Sequence, residues 1–589
     1  MLVAAFICGG TVFTSAREYV YLSEDGNDEN NGASFAQAYA TFSKALEMVS
    51  NGGTIYVRGM VNIYEDPENV GDTVQHSSGD TKRGFVPTKS LTIRGESKET
   101  CGFTGYTDSI LAYEPFPGYP IYEYYQMGTR FLRVNPGIEL TLKDLTFTKF
   151  YGRHCGIVIL MAGGKLIAED LIFSENEAIS GSDNGMGAAI HSNATTGISV
   201  SRCLFYKNKA MKGGAVYIAD SQNQNVDITF ESCSFIENAQ NVNENPTAGA
   251  IFLRLTAPEP TPTDPTGGRP IETHSLNNTL NLINCTFAKN TTMAIGGAVH
   301  LYGVPPSTTF SAINCTFTEN TSEGGDSRRG AGLVIGAGIG QVIGGERCKI
   351  WIQNSIFENN RNTIIQASTT RYHEDIVFTN MSSTDASTIQ NTMKISNSYV
   401  GNTYVITGNI PNGCWDNCTR TYATSGNTLY NNSGLDAFDA ENNVYPLKAG
   451  AATLAYGKTE FLDNIGVFWD AIGRERPESE SCSAGAMEGA GTGGDICTWC
   501  FSTWPPIPPE LPLGISLAPS NNIRIYQENN QLLVNAANSL ELFGINGQSI
   551  AKKTGNKETL AIPLGNLKGI YVARVLTDGQ IYSQKVIIK

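Results

Sequence analysis

The feature that most constrains this chain is a short phrase that recurs six times between residues 170 and 360. Each copy has a phenylalanine, two variable residues and an asparagine, and the asparagines are Asn176, Asn208, Asn238, Asn290, Asn320 and Asn360. Most copies are followed by a run of glycine and alanine, as in Gly213-Gly214-Ala215. The phenylalanines lie 32, 30, 52, 30 and 40 residues apart, so the period is about 30 residues with insertions. A period of this size is typical of a solenoid, in which each repeat stacks on its neighbours.

The residues within one repeat indicate which solenoid this is. The copy after Val226 has three short runs of β-branched and aromatic residues, at 227–231, 232–235 and 250–255, without helical periodicity. Three short strands per turn and no helix predict an all-β chain folded as a parallel β-helix. Equivalent residues of stacked strands lie about 4.8 Å apart and form rows along the axis. We therefore predict an internal phenylalanine row and an asparagine row whose amides bond to one another and whose backbone tolerates left-handed turns.

Four copies also carry a cysteine two residues before the phenylalanine: Cys203, Cys233, Cys285 and Cys315. Stacked Cα atoms about 4.8 Å apart permit a disulfide bond, but parallel side chains keep the Cβ atoms farther apart than the ~3.8 Å of a relaxed bridge. We interpret these residues as buried thiols that pack as small apolar groups, with a strained bridge as the alternative. Cys414 and Cys418, four residues apart in a polar loop, are predicted to form a local bridge.

Composition narrows the classes of function. Of 589 residues 16% are charged, 62 are glycine, and the formal net charge is −15. This balance is typical of an exported β protein and argues against nucleic acid or an anionic membrane as a partner. Residues 1–16 are apolar and end in Thr14-Ser15-Ala16, which predicts a cleaved signal peptide. No other stretch approaches about 20 apolar residues, so no transmembrane helix is predicted.

Residues 17–60 are predicted to form an N-terminal cap and the first coil strand. A strand at 19–22 and a polar loop precede a helix with Phe42, Ala45, Leu46 and Val49 on one face. A covering helix is expected because the open end of a solenoid exposes apolar core and unpaired backbone.

The polar loop of this cap holds four residues with side-chain oxygens: Asp25, Asn27, Asp28 and Asn30. Calcium prefers clustered oxygens, so these residues are a candidate Ca²⁺ site. The loop lacks the glutamate and the full spacing of an EF-hand, and the alternative is a polar turn that caps the helix. No other cofactor is predicted.

Two half-motifs that recur in register carry a family resemblance. Cys285-Thr286-Phe287, with Asn290 and then Gly296-Gly297-Ala298-Val299, resembles the repeat of the polymorphic outer-membrane proteins, a family of surface adhesins. More broadly, residues 140–360 resemble the pectin-lyase-like superfamily. The resemblance implies a right-handed parallel β-helix, which we expect over residues 61–490, and display at the cell surface. Gly485-Ala486-Met487-Glu488 is similar to the sequence that closes many such helices.

Residues 491–520 are rich in glycine and then proline, which is typical of a linker. Residues 521–589 contain alternating apolar runs and the hairpin signals Asn546-Gly547 and Asp578-Gly579, which predict a separate small β-sandwich. The order Phe543-Gly544-Ile545-Asn546-Gly547, then Gly569-Ile570-Tyr571-Val572, then Lys585-Val586-Ile587-Ile588 resembles the C-terminal sorting domain of type IX secretion. This resemblance implies that the secretion machinery is a partner and that the protein is secreted or displayed on a Gram-negative cell.

No catalytic set stands out in the sequence. A lyase of this fold needs an acidic cluster with a proton abstractor, and a hydrolase needs two spaced carboxylates. Arg153-His154 and the turn Ser182-Asp183-Asn184 are isolated candidates, and solvated loop residues are the alternative. No catalytic residue is assigned.

Strand alternation instead predicts an outward aromatic stripe beside the glycine steps. Its ligand-binding candidates are His191, Tyr217, Phe252, His300, Tyr302 and Arg254. Flat rings at the coil spacing suit a glycan or a protein surface, and the alternative is that a loop such as 256–275 covers them. The sequence thus favours an adhesin-like binding protein for a glycan or a surface protein. The alternative function is a polysaccharide lyase or glycoside hydrolase.

Overall fold

The structure is a computed structural model. It describes residues 16–69, 84–110, 126–152, 156–178, 185–219, 226–241, 247–254, 278–293, 295–303, 308–323, 330–336, 348–362, 372–373, 375–378, 392–401, 403–405, 412–420, 433–465, 467–477, 479–492, 525–528, 531–544, 549–565, 567–577 and 580–588. The chain divides into two compact units, Met1–Asp495 and Ile496–Lys589. The predicted signal peptide (except Ala16), most of the linker, the insert 256–275 and the candidates at 153–154 and 182–184 lie outside the described residues.

The first unit is a right-handed parallel β-helix, as predicted, whose coils contribute strands to three parallel sheets. A representative coil begins with Asp227–Glu231, turns at Ser232 and continues with Ser234–Ile236 in the same sheet. It then enters the second sheet with Ala239–Gln240 and the third sheet with Ile251–Arg254. Each strand pairs in parallel with the equivalent strand of the next coil, for example Phe235 with Phe287.

The strands of the first sheet are Arg17–Ser23, Val49–Arg58, Met60–Asn62, Leu91–Gly95, Gly102–Thr104, Glu139–Thr148, Lys165–Ser174, Gly197–Ser201, Leu204–Tyr206, Asp227–Glu231, Ser234–Ile236, Asn278–Ile283, Thr286–Ala288, Thr308–Ile313, Thr316–Thr318, Lys349–Gln353, Ile356–Glu358, Met393–Ser396, Tyr399–Val400, Trp415–Asp416 and Thr419–Arg420. Those of the second sheet are Tyr151–Gly152, Glu177–Ala178, Lys209–Ala210, Ala239–Gln240, Thr291–Thr292, Thr321–Ser322, Arg361–Asn362 and the antiparallel Tyr372–His373. Those of the third sheet are Leu132–Val134, Ile159–Ala162, Ile190–Ala194, Val216–Ile218, Ile251–Arg254, Val299–Gly303, Leu333–Ile335, Ile376–Phe378 and Thr403–Val405.

The N-terminal end of the β-helix is covered by the short α-helix Phe42–Met48. Thr41 caps it by accepting a hydrogen bond from the Lys44 backbone nitrogen. Phe42 is fully buried, and its ring lies 5.1 Å from that of Phe131 in the core. The preceding strand, Arg17–Ser23, pairs in parallel with Val49–Arg58 and so already belongs to the first sheet.

The asparagine row forms as predicted, with all six residues stacked and buried. The Nδ2 atom of Asn208 donates to Oδ1 of Asn238 at 2.9 Å, and Asn238 donates to Asn290 at 3.0 Å. The row ends where Asn360 donates to the carboxylate of Asp375 at 2.6 Å. The expectation that these asparagines adopt the left-handed turn is wrong, because the residue before each has the positive φ, such as Glu237 at 55°.

The phenylalanine row is also internal, with consecutive rings stacked, for example Phe205 and Phe235 at 4.4 Å. The four repeat cysteines are buried and none of the nine described cysteines forms a disulfide bond, so the Cys414–Cys418 bridge is not formed. The Cys285 thiol donates to the backbone oxygen of Phe230 in the coil before it, at 3.3 Å. Burial also raises the pKa of Cys348, a thiol outside this row, to about 12, which keeps that thiol protonated.

The last coil strands among the described residues are Trp415–Asp416 and Thr419–Arg420, although the sequence placed the end of the β-helix at residue 490. Residues 433–492 instead pack on the outer face of the first sheet. They contain the helix Glu460–Asp463 and the antiparallel strand pair Gly457–Lys458 and Ser481–Cys482.

Five further short elements belong to the first unit: the 3₁₀ helices Phe35–Gln37, Ile63–Glu65 and Asn412–Cys414, and the antiparallel strands Tyr106–Ile110 and Gln126–Gly128. That pair flanks residues 111–125, which lie outside the described residues. No helix in the described part of the chain is long and apolar enough to cross a membrane.

The second unit is an antiparallel sheet of five strands: Ile525–Glu528, Gln531–Gly544, Ser549–Pro563, Gly569–Thr577 and Gln580–Ile588. The two predicted hairpins form, since Phe543 pairs with Ser549 and Thr577 with Gln580. The long strand Gln531–Gly544 changes register near Ala537, and side chains from both of its halves join one apolar cluster. This unit of five strands therefore has an apolar core of its own.

Candidate functional site

The predicted stripe lies in one row of the third sheet. His191 pairs with Tyr217, Tyr217 with Phe252, and Phe252 with His300. The ring centroids of Tyr217 and Phe252 lie 5.4 Å apart and nearly parallel, at 12°. The row and its register therefore agree with the alternation of the strands, which places these side chains on the face opposite the core.

The expected exposure of the stripe is wrong for four of its members. His191, Tyr217, Phe252 and His300 are only 1–4% exposed. The glycine steps themselves cover them: a Cβ added to Gly296 would lie 2.8 Å from the Cβ of His300. Gly156 and Gly213 approach His191 and Phe252 in the same way. Because the backbone before each strand passes directly over the stripe, these four side chains cannot contact a ligand in this structure.

Two β-bulges bring other residues of the third sheet to the surface. Leu253 pairs with Leu301 and Arg254 with Gly303, so Tyr302 is an extra residue on its strand. Tyr302 is 39% exposed. A bulge re-aims a side chain that regular pairing would keep in its row, and bulges are frequent beside functional sites.

The second bulge lies three coils earlier and has the same form. Met161 pairs with Ser192 and Ala162 with Ala194, so Asn193 is the extra residue, and it is exposed. Asn193 was not among the candidates selected from the sequence, because a bulge depends on the register of the partner strand.

The buried stripe supports the two exposed bulge residues. The Tyr302 ring stacks on Phe252 at 5.9 Å and 26°, and His300 meets it edge-on at 5.8 Å. His300 is itself held by its Nδ1, 2.9 Å from the Thr247 backbone oxygen. The Nε2 atom of His191 makes a hydrogen bond to Oδ1 of Asn193. The predicted residues are thus brought together, with four as supports and Tyr302 as the exposed ring.

Arg254 completes this surface. Its side chain is exposed, and its guanidinium carbon lies 5.9 Å from the centroid of the Tyr302 ring. A planar cation beside an exposed ring offers both hydrogen-bond donors and an apolar face. We call Asn193, Arg254 and Tyr302 the bulge surface.

The two stripe histidines are neutral at physiological pH. Burial, and for His191 also the nearby Arg130, lowers the pKa of each from 6.5 to about 4. A neutral imidazole that is buried beneath the backbone of the glycine steps cannot reach a substrate to abstract a proton. The histidines therefore supply shape and hydrogen bonds to the bulge surface.

These histidines predict a loss of stability in mild acid. Their folded-state pKa is below the unfolded value, so the unfolded chain takes up protons first as the pH falls from 6.5 to about 4. Stability is complete above pH 6.5 and declines through this window by about 3 kcal/mol for each histidine. Urea unfolding at pH 7 and at pH 4.5 measures the decline. It should be smaller in the variant His300→Phe, and an equal decline would contradict the assignment.

The candidate calcium loop is engaged with its own backbone. The carboxylate of Asp28 accepts hydrogen bonds from the Ala40 and Thr41 nitrogens at 2.9 and 3.0 Å, and from the Thr41 hydroxyl at 2.6 Å. Asn27 accepts from the Glu29 nitrogen.

The other two residues of the loop make backbone contacts as well. Asn30 donates to the Ala38 oxygen at 3.0 Å, and the Asp25 nitrogen donates to Ser23. Among the described residues no group of three or more His, Cys, Asp or Glu is placed to hold a metal ion. The geometry is that of a polar turn at the start of the helix, and calcium binding stays a prediction.

Comparison of the sequence with protein families finds no family that matches, and comparison with curated proteins finds no significant similarity.

Proposed function

We propose that this chain is an exported, surface-displayed β-helix protein that binds a glycan or protein ligand at the bulge surface. The observation that carries the proposal is that two β-bulges near the C-terminal ends of strands in the third sheet expose Asn193 and Tyr302. Both are held by buried histidines of the same row. A rigid aromatic supported from beneath is the kind of group that anchors a ligand.

The spacing of these groups favours an extended ligand. Asn193 and Tyr302 lie three coils apart, which corresponds to about 14 Å along the helix axis. Arg254 lies between them, one coil from Tyr302. The ring suits the apolar face of a sugar or an apolar side chain, while the amide and guanidinium suit hydroxyl or carbonyl groups. The net charge of −15 disfavours a strongly anionic polymer.

Two sequence resemblances support the location. The repeat resembles that of surface adhesins with a pectin-lyase-like β-helix, and residues 521–589 resemble a type IX sorting domain. A small unit with its own apolar core fits a role separate from the β-helix. We therefore propose export across a Gram-negative outer membrane by that machinery.

The variant Tyr302→Ala tests ligand binding. The ligand is first identified on a glycan array or by capture from a panel of surface proteins. We expect the variant to weaken the binding free energy of that ligand by about 1–3 kcal/mol, as truncation of an interface anchor does. Met293→Ala is the matched control, because Met293 is also 39% exposed but lies outside the bulge surface. Tyr217 and Phe252 are unsuitable for this test, since truncating a buried ring costs about 3–5 kcal/mol of stability.

Equal affinity in Tyr302→Ala and in the wild type would reject the bulge surface as the binding site. An assay for reducing ends and unsaturated products on the same glycans tests the alternative function. Product formed by the wild type would show a polysaccharide-cleaving enzyme in place of a binding protein.

The export proposal predicts that a chain truncated after residue 520 stays within the cell envelope. Removal of the five-stranded unit leaves the core of the β-helix intact, so the truncated chain should still fold. Fractionation of cells into envelope, surface and medium measures the outcome. Normal surface display of the truncated chain would contradict the proposal.

A further inference from the structure

The outer corner of the first sheet changes its chemistry halfway along the β-helix. Three early coils place charged residues at the left-handed corner: Asp144, Asp170 and Arg202. These form an ionic row with Lys143, whose ammonium lies 2.8 Å from Asp170. In later coils the corner residues are asparagines: Asn284, Asn314, Asn354 and Asn397. The outward residue before the corner changes too, from Glu169 to Ile283 and Ile313.

The change coincides with the segment 433–492, which covers the later coils. The corner asparagines bind its backbone, since Asn314 Nδ2 donates to the Ser483 oxygen at 3.0 Å. Asn354 donates to the Lys458 oxygen at 2.8 Å and accepts from the Lys458 nitrogen at 2.9 Å. The side-chain amides of successive coils thus form a row that hydrogen-bonds to the backbone of residues 433–492.

Apolar contacts accompany the asparagine row. Ile283 and Ile313 pack against Leu462, Val467 and Cys482. Two further clusters of the same kind join coil residues to the segment: Ile356 and Tyr399 with Leu447 and Ala484, and Ile236 and Ala288 with Tyr445. Without the segment, these outward apolar side chains would face water.

Ion pairs tie distant parts of the segment to each other. Asp470 and Arg474 lie 2.7 Å apart, and Arg476 and Glu488 lie 2.8 Å apart. The Glu488 nitrogen donates to the Asp470 carboxylate at 2.9 Å, which joins the two pairs. Gly485, with a φ of 91°, lies so close to Thr316 and Ile356 that an added Cβ would be 2.8 Å from each. The motif Gly485-Ala486-Met487-Glu488 therefore lies in the part of the segment that packs directly against the coils.

We propose that residues 433–492 form a clasp, which docks and opens as one unit while the coils beneath stay folded. The coils complete their own parallel ladders without it, whereas among the described residues the clasp has only one two-stranded pairing of its own, with isolated bridges. Segments with few backbone pairings open below the global unfolding free energy. Opening uncovers the apolar flank at Ile283, Ile313 and Ile356.

Cysteine labelling of the full chain tests the clasp. Cys482 lies in the clasp and is 1% exposed, and burial raises its pKa to about 11, so it reacts only after opening. With iodoacetamide under native conditions and mass spectrometry of each site, we expect Cys482 to label at least tenfold faster than Cys203 and Cys233. Those two thiols report on opening of the coils.

The variant Asn314→Gly removes the amide and keeps the backbone, because glycine adopts the corner φ of 52° without strain. It should raise the labelling rate of Cys482 at least tenfold and leave Cys203 and Cys233 unchanged. Ser232→Gly, at the same corner of an earlier coil, is the matched control and should change none of the rates. The proposal is overturned if Cys482 labels only as fast as Cys233, or if Asn314→Gly accelerates all three sites together.

Discussion

We expect the substitution Gly249→Ala to lower the free energy of unfolding by about 4 kcal/mol or more, above the usual 1–3 kcal/mol of an overpacked core. A Cβ at this position would lie 2.2 Å from the backbone oxygen of Gly297 and 2.8 Å from the Thr291 nitrogen. Both atoms are backbone of the next coil, so no side chain can rotate away. The coils would have to separate, which breaks the parallel pairing around the site.

Gly197→Ala is the matched control, since Gly197 is also buried in a coil strand but its Cβ would meet nothing nearer than 3.5 Å. It should be neutral or stabilise the protein by up to about 1 kcal/mol, because alanine reduces the entropy of the unfolded chain. Urea unfolding of the two variants provides the comparison. Equal stabilities would show that close approach of the coils is not the reason for the glycine step.

The second large effect is expected for Asn238→Ala, in the middle of the asparagine row. Its Nδ2 donates to Asn290 and to the Phe205 oxygen, at 3.0 and 2.8 Å. Its Oδ1 accepts from both nitrogens of Asn208, at 2.9 and 3.0 Å. Alanine removes all four bonds and leaves buried partners unsatisfied, so we expect a loss of about 4 kcal/mol.

The control for the asparagine row is Asn281→Ala. Asn281 lies on the outer face of the adjacent coil and makes one long hydrogen bond, 3.3 Å, to the Thr229 hydroxyl. A loss of less than about 1 kcal/mol is expected there. The measurement is the denaturant midpoint of each variant. A loss in Asn238→Ala as small as that in Asn281→Ala would mean that the row contributes little to stability.

Much of the candidate site followed from the sequence, but its accessibility did not. Strand alternation placed His191, Tyr217, Phe252 and His300 in one row, and their pairing agrees with that prediction. Their burial depends on the backbone at Gly156 and Gly213, which approaches residues of the following coil, and at Gly296, which approaches His300 of its own coil. Exposure of Tyr302 depends on a register shift between two strands that are 48 residues apart at Ile251 and Val299, and single-strand alternation contains no information on it.

The sequence by itself determined the parallel β-helix, the two internal rows and the repeat period. It does so because equivalent residues of stacked coils lie in the same environment. The same asparagine, phenylalanine and glycine/alanine run are therefore required in each repeat. Only the tertiary structure decided which outward residues meet solvent and where the coils end. Those outcomes depend on contacts between segments that are distant in sequence. Residues 433–492, for example, cover Ile283 and Ile313. No local sequence pattern specifies which distant segment covers a given face.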